Sequence, residues 1–291
     1  MRSEGFASRC FDVVNALLLL LFALVTCLPF VHVIASSFAS ERLVASTHFL
    51  LFPTEFSLKA YQYIFTTDAL PRSLGVSLFI TVIGTSLNLL ATSLMAYALS
   101  RKTLRFRRPL MLMVVFTMIF QGGMIPDYLV VKELGLLNSY WALMVPKMIA
   151  PFYLIILINF FRQLPEEIEE SAKMDGCGEL RNLFRIVIPL SLPALASLTL
   201  FYAVINWNTY MHAILYVTDM NKWPIQVLLR QIVLMSQAGF VEQGQIEGEA
   251  SIPPDTVRMA VISVATFPIL LVYPFLQKYF AKGILLGSVK G

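Results

Sequence analysis

The chain has 291 residues, 57% of them hydrophobic and 14% charged, with a formal net charge of +4. Soluble domains carry charge on about a quarter of their residues, so a water-facing globule is excluded and a polytopic membrane protein is the class that remains. Three scattered cysteines, Cys10, Cys27 and Cys177, fit neither a disulfide framework nor a metal site.

A membrane span needs about 20 mostly apolar residues. Six stretches supply them: about 11–35, 74–99, 109–131, 141–161, 190–216 and 257–281. The first has too long an apolar part for a signal peptide and no small-residue cleavage site behind it. Pro29 is expected to kink it. A long loop, 36–73, follows with Arg42, Lys59 and Arg72 spread along it. The next connection is dense in charge: Arg101, Lys102, Arg105, Arg107 and Arg108. The third carries Lys132, the fourth Arg162, Lys173, Arg181 and Arg185, and the long fifth, 217–256, Lys222 and Arg230. Arg2 and Arg9 precede the first span, and Lys278, Lys282 and Lys290 end the chain. Positive density therefore alternates high and low. The positive-inside rule then gives an all-α fold of six transmembrane helices with both termini cytoplasmic. One membrane domain covers 1–291, and the positive charge is read as topology and headgroup contact, not as nucleic-acid binding.

Inside the spans, charge is scarce. Lys147 lies in the fourth, expected near its outer end beside Pro146. Asn88, Gln121, Asn159, Asn206 and Asn208 are polar groups in or near spans. Two readings stand for them: packing between helices, or the lining of a path. The fifth span is the richest, with Asn206, Trp207, Asn208, Tyr210 and His212 in seven residues. Trp207 and Tyr210 suit an interfacial belt. Amides beside aromatic faces also suit sugar rings, so Asn88, Asn206, Trp207, Asn208 and Tyr210 are the candidate path residues.

The fourth connection, 162–189, is built as two short helices. Pro165 suits a first turn, and Glu166, Glu167, Glu169 and Glu170 favour the positive end of a helix dipole. Gly176 can take a positive φ and stop the helix. A second helix starts near Gly178, where Leu180, Leu183, Phe184 and Val187 form an apolar stripe. Pro189 is expected to end it. The prediction is a helix–glycine–helix elbow on the cytoplasmic surface.

The elbow resembles a loop of permeases of the ATP-binding-cassette importers, with the pattern E-A-A, three residues, G, nine residues, I, one residue, L-P. Here Glu170-Ser171-Ala172, Gly176, Ile186 and Ile188-Pro189 keep every spacing, with Ser171 and Ile188 as mild departures and Asp175 before the glycine also matching. The span order, the W-N-x-Y of Trp207–Tyr210 and the lysine- and glycine-containing end are similar to the second permease of maltose-type carbohydrate importers. The oligosaccharide or polysaccharide branch, with alginate-type uronate polymers as one candidate, is closer still.

That resemblance implies a type I importer permease fold in a bacterial cytoplasmic membrane. It implies a heterodimer with a second permease, two ATPase subunits, an external solute-binding protein and a saccharide cargo. Glu167, Glu169, Glu170, Ser171, Ala172, Asp175, Gly176, Ile186 and Pro189 would couple to the ATPase. Residues of about Ser236–Ile252 would reach the binding protein, and Lys282–Gly291 would extend toward the ATPases. No G-x-x-x-x-G-K-[ST] run is present, so ATP and Mg are expected on partner subunits and no cofactor on this chain. No nucleophile elbow, metal motif or catalytic residue is found. The alternative is an ion-coupled carrier, which would need ionisable residues along the spans.

Overall fold

The structure, a computed structural model, describes residues 6–47, 49–174, 176–238 and 255–288. Regular structure among them is helical, with an antiparallel bridge between Ala39 and Phe56. The chain divides into two compact units, Met1–Pro71 with Leu229–Phe267, and Arg72–Leu228 with Pro268–Gly291.

In the first unit, α1 (Phe6–Ser37) runs through Pro29 as one helix. Its apolar side chains, Phe11 to Phe30, are exposed, as a lipid- or partner-facing helix requires. The loop expected after it carries two short helices, α2 (Glu41–Ser46) and α3 (Lys59–Thr66). Phe38 stacks between Phe56 and Tyr61, and the Ser37 and Tyr61 hydroxyls pair at 2.8 Å. Further along lie α14 (Ile225–Ala238) and α15 (Asp255–Ser288), both of which continue across the unit boundary. The proposed binding-protein segment falls mainly on 239–254, outside the described residues.

The second unit is organised around α4 (Ala69–Ser100), an unbroken helix of 32 residues. Beside it the three predicted spans 109–131, 141–161 and 190–216 are each interrupted. α5 (Arg107–Ile119) and α6 (Met124–Glu133) are separated at 120–123, where Gly123 has φ +89°. α7 (Trp141–Met144) and α8 (Pro151–Arg162) are separated at 145–150, around Pro146. α12 (Leu192–Trp207) and α13 (Met211–Tyr216) are separated at 208–210. α5, α8 and α12 hold 13, 12 and 16 residues, or about 20, 18 and 24 Å, short of the ~30 Å hydrocarbon thickness. Lys147 lies in the break between α7 and α8, four residues before α8 begins. Among the described residues, α1, α4 and α15 (over Asp255–Val272) are long and apolar enough to cross by themselves.

The buried core of this unit gathers Leu154, Leu157, Ile158 and Phe161 of α8 against Leu198 and Tyr202 of α12 and Ala96 and Leu99 of α4. At the arginine-rich end, Arg107, Arg108 and Arg162 line an open cavity of about 490 Å³ with Met111, Leu112 and Val115.

Candidate functional site: an elbow tied to braced helix breaks

Between α8 and α12 the chain forms the predicted elbow. Its first helix, α9 (Glu166–Met174), follows Pro165, and the Ser171 hydroxyl donates to the Glu167 carbonyl at 2.8 Å. Gly176 takes φ +76°. The Cys177 N–H donates back to the Ala172 carbonyl at 2.9 Å, the outer bond of a Schellman cap. Ala172 is buried, while Glu167, Glu170, Ser171 and Met174 are exposed. Asp175 lies outside the described residues.

The second arm is α10 (Glu179–Asn182), a π-helical turn over Leu183–Val187, and α11 (Ile188–Leu190). The predicted stripe splits here. Leu183 and Val187 are buried in the core, whereas Leu180 and Phe184 are 65% and 47% exposed. Bonds of the i→i+5 type widen the turn, so residues expected on one face part company. Pro189 does not end the arm. The wide turn before it tolerates the ring and the missing donor, and the chain instead bends by 86° between Leu190 and Leu192. Ile186 is half-buried and Pro189 exposed.

Sequence reasoning missed the group that ties this arm to α4. The Tyr97 hydroxyl donates to Glu179 Oε2 at 2.5 Å and accepts from Asn182 Nδ2 at 3.1 Å. The Arg101 guanidinium lies 4.0 Å over the Tyr97 ring, a cation–π contact. These partners stand 82 and 85 positions apart in sequence, and nothing local to any of them signals the contact.

Higher along α4, a second polar group braces the break at 145–150. Asn88 Nδ2 donates to the carbonyls of Lys147 and Met148 at 2.9 and 2.8 Å. Asn206 Nδ2 donates to Asn88 Oδ1 at 2.9 Å and to Thr85 Oγ1 at 3.2 Å. The Ala150 N–H donates to the Tyr202 hydroxyl at 3.1 Å, which pairs with Thr92 Oγ1 at 2.7 Å. Non-helical backbone at membrane depth survives only where protein or water satisfies it, and this network does so.

Asn88, Asn206 and Trp207 are thus buried. Trp207 also lines an apolar cavity of about 160 Å³ with Leu78, Val82 and Pro268. Asn208 is exposed and Tyr210 half-buried. Gly84 permits the close approach of α12: a Cβ there would lie 3.0 Å from Asn206 Nδ2 and 3.2 Å from its Cγ. Gly84→Val should therefore push Asn206 off its partners and cost about 1–3 kcal/mol. Thermal unfolding of the detergent-purified protein checks this, with Gly84→Ala falling between Val and wild type.

Comparisons with known proteins bear on the family and the fold. A family profile described as "Binding-protein-dependent transport system inner membrane component" matches residues 109–286. The chain is 60% identical to the polygalacturonan/rhamnogalacturonan transport system permease protein YtcP of Bacillus subtilis, over 98% of this chain and 99% of that one. It is 51% identical to protein LplC of the same organism, over 98% and 96%. Among solved structures it is similar, with TM-score 0.87 and 32% identity over 96% of this chain and 100% of that one, to a bacterial ABC transporter involved in import of the acidic polysaccharide alginate.

Proposed function

The chain belongs to the binding-protein-dependent transport system inner membrane components, as a permease of oligosaccharide or polysaccharide import, and on that footing we propose how it is driven. The elbow is the face pushed by an ATPase on the cytoplasmic side. The observation that carries this is its exposed apolar surface, Met174, Leu180 and Phe184, on an arm whose other side is locked into the core by Leu183 and Val187. Apolar side chains beside a line of carboxylates fit a protein partner better than water. Glu167, Glu169, Glu170, Ser171 and Ala172 belong to the docking helix, with Asp175 and Gly176 at its turn. Ile186 and Pro189 carry the displacement toward the bend and α12.

ATP and Mg are bound by two such ATPase subunits, and the chain pairs with a related second permease fed by an external solute-binding protein. It is a non-catalytic subunit of a bacterial cytoplasmic membrane. The path runs past Asn208 and Tyr210, with Asn88, Asn206 and Trp207 forming the wall behind them. Polygalacturonan and alginate, named for two of the relatives, are both polymers of sugar acids, which favours a saccharide cargo. No finding favours the ion-coupled carrier.

Affinity purification of the tagged chain in detergent should retain a second permease and two ATPase chains. Phe184→Glu should lower ATPase retention about tenfold, as loss of a central interface anchor does, while the second permease stays bound. Full retention of the ATPase by that variant would move the docking face elsewhere.

A further inference from the structure

The braced break carries a cation. Lys147 Nζ lies 3.1 Å from His212 Nδ1, and Asp127 is close enough for its charge to act on both. The three residues come from the three interrupted passes: Asp127 from α6, Lys147 from the 145–150 break, and His212 from α13. Each stands at or just beyond its break, so the interruptions bring the groups together. The backbone of Lys147 is held from behind by Asn88, while its side chain is exposed.

An ammonium within a predicted span is costly to face toward lipid, so it faces protein or an aqueous path. His212 can accept from it through a neutral ring nitrogen, which fixes the direction of the long side chain without neutralising it. With His212 neutral, the Lys147 ammonium is the positive group of the cluster, and Asp127 acts on it from farther off than His212. A wall meant for neutral sugars needs only hydroxyl-pairing amides and carbonyls, and Asn208, four positions before His212 in sequence, already offers an exposed amide. We propose that Lys147, aimed by His212, is a specificity residue that reads a carboxylate on the passing saccharide, so that the cargo is an anionic, uronate-type oligomer. Asp127 keeps the site from holding that anion too tightly to release it. This rests on the importer reading above and narrows its cargo.

The test uses the whole complex with its binding protein in proteoliposomes. The probes are trigalacturonate and its methyl ester, which match closely in size and differ in charge. Lys147→Gln should lower trigalacturonate uptake about tenfold relative to wild type, the usual effect of losing a charge-assisted hydrogen bond. Uptake of the ester should fall far less. Lys147→Arg, which keeps the charge, should retain the preference for the acid, and gel filtration checks assembly of both variants. An equal loss for both probes would make Lys147 a packing residue and overturn the inference while leaving the importer reading intact. Unchanged acid uptake by Lys147→Gln overturns it in the same way. A wild-type complex that hydrolyses ATP with its binding protein yet takes up no saccharide overturns the importer reading beneath it.

Discussion

Gly176→Val should leave the complex assembled but cut substrate-stimulated ATP hydrolysis about tenfold or more. At φ +76° a β-branched residue pays the full left-handed penalty, on the order of 1–2 kcal/mol, and its stiff side chain adds to it. No atom lies within 4 Å of a Cβ built there. The substitution therefore acts through the backbone and not through a clash. The chain relieves the strain by opening the turn, which breaks the Cys177-to-Ala172 bond and swings α9 away from its set direction. On the proposed route coupling depends on that direction, whereas the buried second arm is part of the core. Gly176→Asn tests the mechanism, because asparagine accepts this region of φ and should keep most of the stimulation. Normal stimulation in the valine variant would remove the elbow from the coupling route.

The second large effect is expected from Asn88→Leu. The exchange nearly conserves volume, yet it leaves the carbonyls of Lys147 and Met148 without their donor and Asn206 without its acceptor. Each buried polar group left unpaired costs about 1–3 kcal/mol, and lipid offers no replacement. A loss of several kcal/mol would exceed most single-site effects and should appear as a sharp fall in the yield of folded protein. Asn88→Asp is the stricter test, since it keeps the size but offers at most one donor, and that only when protonated, in place of the amide's two. In the double variant with Asn206→Leu the two losses should not add, because the residues share one bond. Strict additivity would mean that they act independently.

The elbow was legible because its signals are local. Pro165, Gly176 and the spacing from Glu170 to Pro189 specify a start, a turn and a length without reference to the rest of the chain. The breaks were not legible, because a hydropathy window sums apolar character and ignores continuity: 109–131 is apolar whether or not Gly123 interrupts it. The amides at Asn88 and Asn206 were visible as polar groups in apolar surroundings. Their partners are 59 and 118 positions away, so whether they line a path or hold a wall was beyond any local pattern. The π turn at Leu183–Val187 likewise has no residue signature, and it split a stripe that a regular helix would have kept together.

Tyr97 and Asn88 sit on one rigid rod, nine residues and two and a half helical turns apart, so they project from opposite sides of α4. A rod gripped on opposite flanks behaves as a seesaw. Any tilt of α4 that follows the elbow at Tyr97 draws its other flank away from the Lys147 and Met148 carbonyls or presses it onto them. On the coupling route proposed above, a tilt about a point between the two grips would move the drive and the break in opposite senses.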